Sequence, residues 1–256
     1  MKVVILAGGL GTRLAEETTV RPKPMVEIGG MPILWHIMKI YSRHGLDNFI
    51  VCLGHKGYVI KEFFHNYFLH NSDVTFDFIN HTSTFHQSRT EPWRVTLVDT
   101  GMDSQTGGRL KRVAPYLNPA EDFCMTYGDG VADIDITSLI AFHRQAGLAA
   151  TMTVVRPPAR FGATAISGNV VTDFVEKPDG EGGYINGGFF VLAPSVLDLI
   201  EGDATIWEAG PLTRLAGMRQ LAAYRHDGFW MPMDTVRDRN TLEQLYTGNR
   251  APWRSW

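Results

Sequence analysis

Apolar positions in the first 155 residues follow two alternating periods. Short apolar runs, typical of buried strands, are separated by stretches in which apolar residues recur every three or four positions, as in amphipathic helices. The predicted strands cover residues 2–7, 48–53, 95–99, 123–126 and 150–155. The predicted helices run from Pro32 to Gly45 and over residues 59–68 and 136–146. This alternation predicts an α/β fold with a mostly parallel, Rossmann-like sheet covered by helices on both faces.

The pattern changes in the second half of the chain. Residues 161–166 and 170–176 flank the sequence Ser-Gly-Asn, which predicts a β-hairpin. A further strand is predicted at residues 186–192, and a helix at residues 236–246. Residues 70–94 mix Thr, Ser and His without a clear period, which predicts an irregular surface stretch.

Composition narrows the classes of protein that remain. The 256 residues suit one large domain, and 24 Lys and Arg against 27 Asp and Glu give a net charge of −3. The chain lacks the excess of basic residues that is typical of nucleic-acid-binding proteins. No apolar run approaches the roughly 18 residues of a membrane span. Cys52 and Cys124 both lie in apolar runs. They are predicted to be buried thiols without a disulfide, which fits a reducing cytoplasm.

A glycine loop after the first predicted strand carries the clearest chemical signal. Gly8, Gly9 and Gly11 let backbone N–H groups approach an anion with no Cβ in the way. Arg13 and Lys23 follow and supply positive charge. The combination predicts a site for nucleotide phosphates, although the glycines alone are equally compatible with a tight strand-to-helix turn.

Two familiar nucleotide loops do not match these residues. A dinucleotide-binding G-x-G-x-x-G motif needs a glycine at position 14, where the chain has Leu14, so an NAD-dependent reductase is not favoured. The Gly-Lys-Ser/Thr string of a P-loop does not occur in the sequence.

The residues around the glycine loop resemble the signature of the sugar-1-phosphate nucleotidyltransferases. The matching strings are LAGGLGTRL at residues 6–14, RPKPM at 21–25 and GGMPIL at 29–34. Similar segments continue in one order as far as FWMPMDT at residues 229–235. The resemblance therefore covers nearly the whole chain.

This resemblance implies a nucleotide-diphospho-sugar transferase fold in a single domain over residues 1–256. A nucleotide-binding part would cover residues 1–135. A smaller, β-rich sugar-binding part with a C-terminal helix would cover residues 136–256.

Within the family, the chain is most similar to the cytidylyl branch. That similarity implies CTP and α-D-glucose 1-phosphate as substrates, CDP-glucose and pyrophosphate as products, and Mg²⁺ as cofactor. It also implies a cytoplasmic homo-oligomer, for instance a hexamer, with residues 70–94 in subunit contacts and a product used for deoxysugars of surface polysaccharides. Another NTP such as UTP or dTTP, another sugar 1-phosphate, or a non-catalytic regulatory binder of nucleotide sugars remain alternatives.

The resemblance also implies individual roles for residues of the nucleotide site. Arg13 and Lys23 would be catalytic, because a cation can stabilise charge that develops on the α-phosphoryl group. The nucleotide would contact Leu6, Ala7, Gly8, Gly9, Gly11, Thr12, Arg13, Lys23, Ser104, Arg109 and Gly128.

Two carboxylates are implied as metal ligands. Asp129 and Asp234 would bind Mg²⁺, which prefers one or two carboxylates together with phosphate oxygens. On the residues alone, Asp129 could be a turn residue and Asp234 a helix N-cap. Asp133 and Asp135 are interpreted as turn and cap residues of the helix that begins near residue 136.

The remaining predictions concern the sugar and the carboxyl end. The sugar phosphate would contact Gly162, Glu176, Lys177, Asn186 and Gly187, with ordinary hairpin chemistry as the alternative. Trp253 and Trp256 are expected to pack on a neighbouring subunit or on the domain itself, because termini fray unless they dock.

Overall fold

The fold is built around one seven-stranded sheet in a computed structural model that describes residues 1–11, 14, 18–157, 163–167, 170–175 and 183–256. The strands are β1 (Val3–Leu6), β2 (Glu27–Ile28), β3 (Met31–Pro32), β4 (Asn48–Leu53), β5 (Ser72–Asp77), β6 (Thr82–Ser88), β7 (Arg94–Asp99), β8 (Phe123–Tyr127), β9 (Gly130–Ala132), β10 (Ala150–Val155), β11 (Ala163–Ser167), β12 (Val170–Val175), β13 (Ile185–Leu192), β14 (Leu221–His226) and β15 (Trp230–Pro232). The α-helices are α1 (Ile33–Ser42), α2 (Gly57–His70), α3 (Thr106–Arg112), α4 (Ile136–Ala146), α5 (Pro211–Gly217) and α6 (Val236–Thr247).

The central sheet has the strand order β14-β10-β13-β8-β1-β4-β7. β13 runs opposite to the other six strands, which are parallel to one another. The prediction of a mostly parallel sheet is therefore confirmed. β10, β13 and β14 come from the second half of the chain, so both halves contribute to the same sheet.

The sheet is buried on both faces, as its nearly continuous apolar strands predict. Val3 and Ile5 belong to the core on one face, together with Ile37 of α1. Val4 and Leu6 belong to the core on the other face, where α3 and α5 pack. Cys52 and Cys124 are free, buried thiols, as predicted, and burial raises the pKa of each to about 12.

The observed ends of the helices agree with the capping residues in the sequence more closely for α4 than for α1. α4 has the predicted range: the Asp135 carboxylate accepts a hydrogen bond from Ser138 N at 2.9 Å, and Gly147 ends the helix with φ +62°. The predicted start of α1 was wrong by one residue, and Gly45 lies in the turn that ends the helix, as predicted. Pro32 pairs with β2 in an extended conformation, so the helix begins at the next residue. The helix ends before a turn in which Gly45 has φ +75°.

Residues 70–94 are more regular than predicted. They contain an antiparallel hairpin of β5 and β6, so the expectation of an irregular stretch was wrong. Both strands are largely exposed, so burial imposes no alternation of apolar and polar residues on them. The hairpin carries exposed apolar side chains at its turn, including Phe78 and Ile79 with exposed fractions of 83% and 89%.

The carboxyl-terminal tryptophans pack on the domain itself, which decides between the two predicted alternatives. Trp253 is buried and stacks on Phe229 with ring centroids 5.5 Å apart. Trp256 lies edge-on to Trp35 of α1 at 5.8 Å. Across the described ranges, no helix is long and apolar enough to cross a bilayer.

Candidate active site

A cavity of about 330 Å³ opens where β1 and β8 end, at the sheet edge where ligands bind in open α/β folds. Every described residue that the resemblance implies for nucleotide or metal binding lines it. The lining residues are Leu6, Ala7, Gly8, Gly9, Gly11, Lys23, Pro24, Ser104, Gln105, Thr106, Arg109, Tyr127, Gly128, Asp129 and Asp234. The fold thus brings together residues from five separate stretches of the chain.

Arg109 lies beneath the glycine loop as a buried cation. Its guanidinium donates to the carbonyl oxygens of Leu53, Gly101 and Met102 at 2.7–3.1 Å and to Thr100 Oγ1 at 2.9 Å. Burial lowers its pKa, yet an arginine keeps its charge at neutral pH. Arg109 therefore joins the end of β4 to residues 100–102, packs its guanidinium against Gly8 of the glycine loop and places positive charge at the cavity wall.

Lys23 connects the two predicted metal ligands. Its Nζ lies 2.7 Å from Asp129 Oδ2 and 2.7 Å from Asp234 Oδ1. Burial lowers the pKa of Lys23, but the charges of both carboxylates and the hydrogen bonds to them outweigh that effect, so its pKa is raised. The lysine is therefore protonated at neutral pH and faces the cavity with two acidic neighbours.

Backbone pairing positions these three side chains. Lys23 lies in a 3-10 turn between Pro22 and Pro24. β9 follows Asp129 directly and pairs antiparallel with β15, which ends just before Met233 and Asp234. Met233 N donates to the Asp129 carbonyl at 2.8 Å, which extends this pairing to the carboxylates.

The alternative interpretation of Asp234 as a helix cap is wrong. Thr235 is the N-cap of α6, and it forms a reciprocal capping box with Asp238. The Asp234 carboxylate points to Lys23 instead. Two carboxylates that already converge on one cation fit a divalent ion such as Mg²⁺, which needs few protein ligands when phosphate oxygens supply the rest.

Asn186 lies beside the cavity and contacts one of its lining residues, Tyr127, whereas Gly187 contacts residues outside the lining. Asn186 Nδ2 donates to the Tyr127 hydroxyl at 3.2 Å. The Gly187 carbonyl accepts from Trp230 Nε1 at 2.7 Å, and a Cβ on Gly187 would approach Val155 Cγ1 to 2.8 Å. Thr12, Arg13, Gly162, Glu176 and Lys177, which complete the predicted site, are outside the described residues.

Sequence reasoning missed several residues of this site. Pro24, Gln105, Thr106 and Tyr127 line the cavity although no role was predicted for them. Glu208 contacts two of them, Thr106 and Tyr127, from a turn before α5. The position of Tyr127, directly before the Gly-Asp-Gly string, was the available signal, whereas nothing in the local sequence marks Glu208.

The fold and the cavity together define a nucleotidyl transferase. The Nucleotidyl transferase family profile matches residues 2–231, and the chain belongs to that family. It is similar to the glucose-1-phosphate cytidylyltransferase of Salmonella typhi, with 62% identity over 256 residues and full coverage of both chains. The probable glucose-1-phosphate cytidylyltransferase of Bacillus subtilis is 41% identical over 258 residues, again with full coverage of both chains.

A more distant relative and a solved structure extend the comparison. The mannose-1-phosphate guanyltransferase of Schizosaccharomyces pombe is 29% identical over 96% of this chain and 64% of its own length. The crystal structure of HddC from Yersinia pseudotuberculosis matches with a TM-score of 0.68 and 23% identity over 96% of this chain and 99% of that chain. This last likeness supports the fold alone.

Proposed function

We propose that the protein transfers the cytidylyl group of CTP to α-D-glucose 1-phosphate and releases CDP-glucose and pyrophosphate. The observation that carries the proposal is the cation Lys23 between Asp129 and Asp234 at the wall of a glycine-lined cavity. The full-length similarity to the Salmonella typhi cytidylyltransferase supports the choice of base and sugar.

The reaction needs positioning and charge more than it needs a general base. A phosphate monoester has a second pKa of about 6, so its attacking oxygen is mostly ionised at neutral pH. That oxygen forms a bond to the α-phosphorus of CTP while the bond to the bridging oxygen of pyrophosphate breaks, and pyrophosphate leaves with the electron pair. The protein must bring two anions together and stabilise charge on the α-phosphoryl group.

The described side chains suit these tasks. Lys23 supplies a protonated amine that can stabilise charge on the α-phosphoryl oxygens. The glycine loop offers backbone N–H groups to the phosphates, and Arg109 adds positive charge beneath it. Arg13, from the matching string, is proposed to act with Lys23 on the triphosphate.

Mg²⁺ is the proposed cofactor, held by Asp129 and Asp234. When bound, it would neutralise phosphate charge and orient the phosphates for in-line attack. The side chains of Asn186, Glu176 and Lys177 are proposed to bind the sugar phosphate, since an amide and a carboxylate suit hydroxyls and a lysine suits a phosphate.

We also propose a homo-oligomer, for which a hexamer is one candidate, in a cytoplasmic setting. The support is the exposed apolar turn of the β5–β6 hairpin, because large apolar side chains grouped on a surface are typical of interfaces. The two free, buried thiols fit a reducing compartment.

A pyrophosphate-release assay tests the function. CTP, UTP, GTP, ATP and dTTP are each combined with glucose, galactose and mannose 1-phosphates. We expect CTP with glucose 1-phosphate to give the highest kcat/KM, at least ~100-fold above UTP, because a site that hydrogen-bonds one base edge leaves polar groups unpaired with another. Equal use of UTP or dTTP would contradict the choice of base, and nucleotide-sugar binding without pyrophosphate release would indicate a regulatory binder.

A further inference from the structure

The Glu208 carboxylate joins two elements that line the cavity. One of its oxygens accepts a hydrogen bond from the Tyr127 hydroxyl, and the other accepts from Thr106 Oγ1 at 2.7 Å. Tyr127 ends β8 and Thr106 begins α3, and both line the cavity. Glu208 itself does not line the cavity, so it would act on a bound ligand through the side chains of Tyr127 and Thr106.

The chemistry of the side chains fixes the direction of the hydrogen bonds that link Glu208, Tyr127 and Asn186. A carboxylate only accepts, so the Tyr127 hydroxyl donates its proton to Glu208. Asn186 Nδ2 then donates to the Tyr127 oxygen at 3.2 Å. The Asn186 amide is oriented by Gly188 N, which donates to its Oδ1 at 2.8 Å. The second N–H of the amide is the group that Asn186 can offer to a ligand.

The turn that carries Glu208 is fastened to the beginning of α3. Gln105 N donates to the Asp203 carbonyl at 2.8 Å, and Gly107 N donates to the Thr205 carbonyl at 2.9 Å. Trp207 N donates to Thr106 Oγ1 at 2.9 Å, and the Trp207 ring is buried. Glu208 is therefore held in one place relative to the cavity wall.

We propose that Glu208 is a positioning residue for the sugar phosphate. It fixes the Tyr127 hydroxyl as a donor toward itself, so that the Tyr127 oxygen accepts from Asn186 and the remaining Asn186 N–H donates to one sugar hydroxyl. A neutral side chain at position 208 can donate as well as accept, so the Tyr127 hydroxyl loses its fixed direction. This inference rests on the proposed function, because it assigns the substrate side of Asn186 to the sugar.

Three variants test the inference by steady-state kinetics. Glu208→Gln keeps the shape and removes the charge. Tyr127→Phe removes only the hydroxyl and keeps the ring, which packs edge-on to Phe190 at 6.1 Å. Glu201→Gln is the matched control, because Glu201 is a carboxylate of the same region with an exposed fraction of 88%. Melting temperatures are measured for all three variants alongside the wild type.

We expect Glu208→Gln and Tyr127→Phe to raise KM for glucose 1-phosphate by about tenfold, the effect of one lost hydrogen bond, with KM for CTP changed less than about twofold. Glu201→Gln should match the wild type. The assay is repeated with glucose 1-phosphates that each lack one hydroxyl. One of these analogues should be disfavoured by the wild type, and both variants should remove that preference because they have already lost the contact.

The outcomes separate this inference from the proposed function. A wild type that releases no pyrophosphate from CTP and glucose 1-phosphate contradicts the proposed function. If the wild type is active, an unchanged KM for glucose 1-phosphate in both variants overturns the positioning role alone. Equal rises in KM for glucose 1-phosphate and KM for CTP also overturn the positioning role, and so does an unchanged preference among the deoxy analogues. A general disturbance of the cavity would produce either result.

Discussion

The guanidinium of Arg109 lies directly against the backbone of Gly8, so that a Cβ built on Gly8 would be 2.3 Å from Arg109 Nη1. Four hydrogen bonds to Leu53, Thr100, Gly101 and Met102 hold the guanidinium there. The glycine loop is therefore shaped from below by a buried cation as well as by its own sequence. This contact explains why Gly8 and Gly9, adjacent in sequence, are expected to differ in their tolerance of a side chain.

Gly8→Ala should destabilise the protein, because the new methyl group forces Arg109 away from its acceptors. Overpacking of this kind costs about 1–3 kcal/mol, equivalent to a fall in Tm of about 2–10 °C. Gly9→Ala is the matched control, since a Cβ there has no protein atom within 4 Å. Thermal unfolding without ligands measures both variants, and equal values of Tm would contradict the role of Arg109 beneath Gly8.

Lys23→Ala should lower kcat/KM by at least ~100-fold while leaving the fold intact, because its charge is proposed to act on the transition state. Pyrophosphate release measures the first effect and thermal unfolding the second. Lys61→Ala, on the exposed side of α2, is the control and should retain full activity. A Lys23→Ala enzyme with near-normal kcat/KM would show that the two ion pairs serve structure alone.

Removal of the metal should abolish activity, and Asp129→Asn should approach the same result. The amide keeps the shape of Asp129 but loses the charge that Mg²⁺ requires, so we expect a loss of ~100-fold or more in turnover and a higher Mg²⁺ concentration for half-maximal rate. Asp198→Asn, at an exposed position, serves as the control. Full activity of the wild type in excess chelator would be incompatible with this role of Asp129 and Asp234.

Acid should destabilise the protein through His36. This side chain is fully buried, its Nε2 donates to the Ile28 carbonyl at 2.8 Å, and its Nδ1 accepts from Trp253 Nε1 at 3.4 Å. These two partners are compatible only with the neutral ring protonated at Nε2. Burial lowers the pKa of His36 from 6.5 to about 4, so the unfolded chain binds a proton that the folded protein excludes.

The stabilisation by neutral His36 is complete above pH 6.5 and is lost as the pH falls toward 4. We expect a loss of about 2 kcal/mol in the free energy of unfolding between pH 7 and pH 5 from this group. Urea unfolding at several pH values measures it. His36→Gln should flatten the dependence, whereas His65→Gln, on the exposed side of α2, should leave it unchanged. Identical pH profiles for the wild type and His36→Gln would contradict the assignment.

The β5–β6 hairpin should mediate self-association. Light scattering at micromolar concentration should give a multiple of the 28.6 kDa chain mass. Phe78→Ser together with Ile79→Lys should reduce that mass, since charged and polar groups at an apolar contact disfavour burial. Val20→Lys, an exposed apolar position elsewhere, is the control. A wild type of 28.6 kDa would remove this role from the hairpin.

The sequence predicted best the strands that are buried on both faces and the helix that has capping residues at both ends. β4 and β10 were predicted with their observed ends because both faces of each strand are buried, and α4 because Asp135 and Gly147 mark its two ends. The β5–β6 hairpin was missed because exposed strands need no apolar alternation. β14 was missed because it is an edge strand with a half-exposed pattern.

Some residues of the candidate site could likewise be predicted from the sequence, and others could not. Residues in short strings, such as the glycine loop and Lys23, could be recognised because backbone geometry requires them in a fixed local order. Glu208 could not, because its role depends on contacts with Tyr127 and Thr106 that only the folded chain brings together. Arg109 was recognised from the resemblance, but its engagement with four backbone and hydroxyl acceptors required the coordinates.

The short pairing of β9 with β15 has a consequence for how such a protein can diversify. Asp129 and Asp234 are fixed relative to each other by three residue pairs and one further backbone hydrogen bond, although residues 130–233 separate them along the chain. Insertions or exchanged loops that keep the pairing of β9 with β15 and the central strands β10, β13 and β14 should therefore leave the two carboxylates in place. The surroundings of the cavity can thus change along this stretch of the chain while the arrangement of Lys23, Asp129 and Asp234 is retained.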